Sequence, residues 1–245
     1  MLVTIPSGTI TLRDARTRSS RTVELEEFRL ATTPVTRAEF NAVIGSPPPP
    51  SEREECPADS VTWYEAVAWC NAASLAHGLT EAYRIEGDRV DWRLDADGYR
   101  LPTEAEWEWA CRAGTTGPRH GELGRIAWTE ADEVSGPQPV GRRDPNAHGL
   151  FDMLGNVWEW CWDFADPSRY ADYRTLRGGG WADPHWSVRA SVRRGSTPEL
   201  RLDDVGFRVA AGAVGDPRSL SAQGWSHAID QERRSQWDPY AGVIG

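Results

Sequence analysis

The chain has 245 residues, with 27 Lys and Arg against 37 Asp and Glu for a formal net charge of −10, and 13 Trp beside 5 Phe and 2 Met. That length suits one well-buried domain rather than two, and the acidic balance opposes any sequence-independent grip on phosphate backbones, so nucleic acid is not an expected partner. No stretch approaches 18 uninterrupted apolar residues and the first twenty residues carry no charged segment followed by an apolar one, so no membrane span or leader is read and a cytoplasmic location is expected.

Tryptophan needs a large apolar socket and a partner for its indole N–H, so the composition predicts a core laced with polar groups. The four cysteines, Cys56, Cys70, Cys111 and Cys161, lack CxxC spacing and read as reduced thiols rather than as a zinc site or a disulfide framework. Cys70, Cys111 and Cys161, flanked by tryptophan or alanine, are expected in the core.

In chain order, Thr9–Leu12 and Thr22–Phe28 alternate polar and apolar residues around a charged turn and predict an antiparallel hairpin. Thr36 followed by Glu39 starts a helix over Arg37–Ile44 through a reciprocal cap. Pro47–Pro50 marks a surface loop. A second cap, Thr62 with Glu65, starts a helix over Trp63–His77 that Gly78 closes. Tyr83–Ile85 and Val90–Leu94 form another hairpin turning at Glu86-Gly87-Asp88, with a further turn at Asp95–Gly98. Thr103 with Glu106 starts a third helix, Glu104–Arg112, closed by Gly114 as a left-handed cap. Gly114–Asn146 reads as irregular, and late strands are predicted at Arg177–Trp181, Val188–Arg194 and Gly206–Ala210. After Ala211 the periodicity is lost. Residues 212–245 are therefore read as an extension to a domain of residues 1–211, either docked through Trp225, Trp237 and Tyr240 or frayed.

Six stretches carry a family resemblance in register: TTPVTRAEF (Thr32–Phe40), PADSVTWYEAVAWCNA (Pro57–Ala72), YRLPTEAEWEWACRAG (Tyr99–Gly114), PVGRRDPNAHGLFDMLGNVWEWCWD (Pro139–Asp163), RGGGW (Arg177–Trp181) and GFRVA (Gly206–Ala210). Together they resemble the formylglycine-generating enzyme, or sulfatase-modifying factor, family over roughly residues 28–211. The resemblance implies an α+β, C-type-lectin-like fold of the sulfatase-modifying-factor type with much irregular structure. It also matches Asp152, Gly155, Val157 and Glu159 to the family's calcium loop. A hard cation wants six to eight oxygens, which two carboxylates and two carbonyls begin to supply. The competing reading pairs Glu159 with a buried arginine, and the arginine of GFR is itself expected in a structural salt bridge.

In the family's catalytic members, two cysteines after the RGGS-W/Y stretch bind copper(I), and oxygen activated there oxidises a cysteine of a client sulfatase. Here Asp183 and Val188 stand in the cysteine positions and Gly180 replaces the serine. Copper(I) demands thiolates, so copper and formylglycine synthesis are not expected. The reading adopted is a ligand- or protein-binding member holding a small molecule or protein in a cleft of Trp181, Trp186, Arg189 and Arg193. Arg189, Ser191 and Arg193 would share one strand face, unless the arginines merely balance Asp203, Asp204 and other acids. The alternative is a metal-dependent oxidase or oxygenase, with Asp183 and His185 as ligands of non-haem iron, acting on a small molecule or peptide. Metal-free acid–base catalysis ranks last, because no nucleophile elbow or spaced carboxylate pair is present.

Overall fold

The computed structural model describes residues 1–14, 18–170, 172–216 and 218–235. Its elements are β1 (Leu2–Ile5), β2 (Gly8–Asp14), β3 (Ser19–Leu25), β4 (Phe28–Ala31), α1 (Arg37–Ile44), α2 (Trp63–Ala76), β5 (Tyr83–Glu86), β6 (Arg89–Trp92), β7 (Tyr99–Arg100), α3 (Glu104–Arg112), β8 (Trp158–Phe164), β9 (Arg174–Arg177), β10 (Arg193–Ser196), β11 (Val205–Gly206) and β12 (Ala210–Ala211), with shorter pieces between. Two four-stranded sheets carry the fold, ordered β1-β4-β12-β7 and β10-β9-β8-β11. The hairpins β2–β3 and β5–β6 stand outside them. Among the described residues no helix is long and apolar enough to cross a membrane.

All three helix starts form as predicted. Thr36, Thr62 and Thr103 each accept a backbone N–H from the glutamate three residues on, whose carboxylate accepts the threonine N–H in return. These reciprocal bonds satisfy donors that the first helical turn otherwise leaves orphaned. Helix α3 turns left-handed one residue earlier than expected, at Ala113 (φ 43°) before Gly114 (φ 84°).

The late strands move. The strand expected at Arg177–Trp181 lies upstream at β9, because Gly178 and Gly179 take φ of 101° and 86° and turn the chain out of the sheet. The expected Val188–Arg194 strand is β10, which begins only at Arg193; a turn closed by Val192 N donating to Arg189 O precedes it. Gly206–Ala210 divides into β11 and β12, which join different sheets. The first hairpin's second strand stops at Leu25, and Phe28 opens β4 opposite Ile5. Strand β8 had no sequence signature of its own: Trp158–Asp163 are all buried, so polar and apolar residues do not alternate.

The tryptophans bridge the core through their N–H groups. Trp63 donates to Cys161 O at 3.0 Å and Trp160 to Val61 O at 2.8 Å. The extension packs on the domain through Gln223 and Trp225. Trp225 lies 5.6 Å from Trp92 and 5.7 Å from Trp162, centroid to centroid. Buried Gln223 accepts from Glu26 N (3.0 Å), donates to Glu26 O (3.2 Å) and Glu106 Oε1 (3.1 Å), and its carbonyl accepts from Thr103 Oγ1 (2.7 Å). Trp237 and Tyr240 lie outside the described residues. Gln223→Ala strips the partners from buried polar groups and is expected to lower stability by about 1–3 kcal/mol, read as a reduced urea midpoint; an unchanged midpoint would show that the extension docks without this side chain.

Candidate functional site

The loop before β8 is shaped by tight approach. A Cβ on Gly155 would lie 2.2 Å from Trp128 O, and Gly155 sits at φ 70°, so only glycine fits. Asp152 follows a similar left-handed path (φ 53°) and is buried. One of its carboxylate oxygens accepts Gly141 N at 2.7 Å and the other lies 3.3 Å from Asn156 Nδ2. Burial pushes its carboxyl pKa up.

Glu159 has a different occupation from the one the calcium reading needs. Its Oε1 accepts Arg208 Nη2 and its Oε2 accepts Arg208 Nε and Trp107 Nε1, each at 2.7 Å, and both members of the ion pair are 0 % exposed. Arg208 also donates to Ala31 O (3.0 Å) and Phe151 O (2.9 Å). The competing sequence reading, a buried arginine on Glu159, is the one seen, and the arginine is that of GFR. Glu159 thus spends three acceptor positions on Arg208 and Trp107, and a calcium ion held by it would meet the guanidinium as a like charge.

The copper position does not fit its metal either. Asp183 turns inward, its Oδ2 accepting Trp158 Nε1 at 2.6 Å and Gly180 N at 2.7 Å. Val188 is buried in a cluster with Cys111 and Cys161. All four cysteines are free and buried, and desolvation pushes the thiols of Cys70, Cys111 and Cys161 up, that of Cys111 to about 12, so they stay protonated. His185 is exposed and its carbonyl, not its ring, is held, by Arg119. Among the described residues no three His, Cys, Asp or Glu side chains gather as a metal ion requires.

The four expected ligand-binding residues separate. Arg193 is committed, its Nε 2.7 Å and its Nη2 2.8 Å from the Glu104 carboxylate. Arg189 is exposed on the preceding turn, so the two do not share a strand face. The alternative that these arginines balance acids holds for Arg193, whose partner is Glu104; it is Arg194 that lies 3.7 Å from Asp204 Oδ2. Trp181 is half-buried with its indole N–H 3.4 Å from Asp203 O, and Trp186 is 61 % exposed. Arg189 and Arg193 instead line a groove of about 1250 Å³, bounded by β2, the hairpin end at Ser19 and Ser20, Trp109 and Arg112 of α3, and the Gly114–Pro118 turn.

Residues 1–213 match the sulfatase-modifying factor enzyme 1-like domain. The chain belongs to this family. Within the sulfatase-modifying factors, the inactive Cα-formylglycine-generating enzyme 2 of Bos taurus is 33 % identical over 193 residues, spanning 66 % of this chain and 62 % of that protein. The chaperone protein LppX of Paenibacillus barcinonensis is 31 % identical over 202 residues, 66 % of this chain and 72 % of that protein. Among solved structures, Treponema denticola variable protein 1 superposes with a TM-score of 0.78 at 28 % identity, covering 86 % of this chain and 94 % of that one. The fold expected from the sequence, C-type-lectin-like of the sulfatase-modifying-factor type, stands.

An acidic cluster behind α3 was not singled out in the sequence, although Glu104, Glu108 and Arg112 share a helix face at i, i+4 spacing. Glu108 pairs with Arg177 and, at 2.7 Å, with Arg112, while Asp163 accepts Glu104 N at 2.7 Å. Burial, reinforced by the Glu104 charge, lifts the Asp163 carboxyl from 3.8 to about 6. The folded state therefore keeps a proton that the unfolded chain has released, and stability falls as pH rises through that window. Asp163→Asn preserves the acceptor for Glu104 N and removes the titrating charge. Its melting temperature is expected to exceed the parent's at pH 7.5 and to converge with it near pH 4; a constant difference across that range would place the titration elsewhere.

Proposed function

We propose that this sulfatase-modifying factor is a ligand- or protein-binding member that does not make formylglycine. One observation carries the reading. Where the copper site needs a thiolate, the Asp183 carboxylate is drawn inward by Trp158 and Gly180, and every cysteine is buried. A carboxylate and a valine offer copper(I) none of the soft donors it requires.

What remains on that face suits contact rather than chemistry. Exposed Trp186 and half-buried Trp181 belong to a side-chain type that dominates binding energies. Similarity to an enzyme named inactive and to a protein named a chaperone supports the same direction. The net charge of −10 favours a protein or small molecule over nucleic acid. In this reading Arg208 supplies at the loop the positive charge that the family's calcium would supply, and iron at Asp183 and His185 plays no part.

The test is titration with copper(I) under reducing conditions, followed by ultraviolet thiolate-to-copper absorption, together with aerobic incubation with a cysteine-bearing sulfatase peptide and an aldehyde-reactive probe. The expected outcome is no stoichiometric absorption band and no aldehyde. Saturation at one copper with aldehyde formation would overturn the proposal, as would oxygen uptake with iron(II) that Asp183→Ala abolishes.

A further inference from the structure

Strand β2 pairs with β3 alone in a two-stranded sheet, so among the described residues its outer edge has no strand partner. The 1250 Å³ groove meets that edge. Consecutive Thr9, Ile10 and Thr11 line it although the Ile10 side chain is buried, whereas their cross-strand partners Glu24, Val23 and Thr22 do not. Along Thr9–Thr11 the backbone margin therefore forms that wall, whereas toward the hairpin end both strands do, through Arg13 and Asp14 and their partners Ser20 and Ser19. An edge of this kind presents unpaired N–H and C=O groups at alternate residues, a template for an added strand. The volume exceeds the roughly 300–1,000 Å³ usual for small-molecule pockets.

The charge around this edge opposes that of the whole protein. Exposed Arg13, Arg18 and Arg189 line the groove and make no ion pair among the described residues; Arg112 and Arg193 line it too but pair with Glu108 and Glu104, and Asp14, 3.9 Å from Arg193, and Glu108 are the acids in the lining, so arginines outnumber acids there. Free guanidinium forks in a chain of net charge −10 select carboxylates, which they hold through paired N–H donors. Trp109 adds an aromatic surface at the floor.

We infer that the groove beside β2 binds an extended, carboxylate-rich peptide segment, which adds to β2 as a third strand while Arg13 and Arg189 engage its acidic side chains. The inference rests on the binding reading given above but uses a different face from Trp181 and Trp186. Loss of peptide binding would leave the copper result untouched, and copper activity would leave the groove's peptide binding measurable.

The experiment is fluorescence anisotropy of the full chain with a labelled nine-residue peptide of alternating glutamate and valine, its lysine counterpart, and a glutamate version N-methylated at alternate residues. The glutamate peptide is expected to bind saturably. Affinity should fall at least tenfold for the lysine peptide, for the N-methylated peptide, and for the Arg13→Glu, Arg189→Glu double variant. Both arginines are exposed, so the variant should keep the parent's melting temperature, and β2 amides should gain hydrogen-exchange protection on binding. Absence of saturable binding, equal binding of the lysine peptide, or no effect of N-methylation would overturn the proposal. So would a dimer in sedimentation that Arg13→Glu dissolves, which would give the edge to a second copy, or displacement of the peptide by an oligonucleotide at lower concentration.

Discussion

Arg208 sets both ends of its fork on the two oxygens of fully buried Glu159, and Trp107 donates to one of them as well. The pair joins the two sheets: Glu159 lies in β8, while Arg208 lies between β11 and β12 and reaches back to the carbonyls of Ala31 in β4 and Phe151 in the preceding loop. A buried charge deprived of its partner costs about 3–5 kcal/mol, so neither residue is free to take up another ligand. That constraint decides how the DMLGNVWE loop is used. Of its two acids, Glu159 neutralises the protein's own cation.

The same device recurs around α3. Arg100 in β7 makes two 2.7 Å bonds to Glu106, and Arg177 in β9 pairs with Glu108, each arginine being 1 % exposed. One helix therefore sends carboxylates toward both sheets, and Gln223 of the extension completes the Glu106 end. Such pairs are weak arguments for stability but strong ones for a unique arrangement, since every misregistered packing would strand a charge. The tryptophan-rich composition fits this core in that four indole N–H groups find acceptors at Cys161, Val61, Glu159 and Asp183, while those of Trp128 and Trp162 are buried without a partner among the described residues.

How much of this the chain discloses by itself depends on how local the cause is. The three helix starts were legible because a threonine and the glutamate three residues later complete the cap within one turn. The GFR salt bridge was legible as a tendency of a buried arginine, though not its partner. Strand β8 was not, since burial on both faces erases the alternation by which strands are recognised. Arg189 and Arg193 were assigned to one strand because alternate spacing in an extended stretch looks the same whether or not a turn interrupts it. The missing thiolates were plain from Asp183 and Val188, whereas the groove beside β2 was hidden, its walls coming from residues within 9–14, 18–20, 108–118 and 189–193, which only the fold brings together.

With Arg208 against Glu159, the loop that the sequence resemblance matches to calcium is expected to hold no ion. Calorimetric melting of protein purified without chelators, repeated in excess calcium and in excess EDTA, tests it most directly, because an ion bound only by the native state raises the transition by mass action. The three transitions are expected to coincide. A transition that EDTA lowers and calcium restores would contradict the claim.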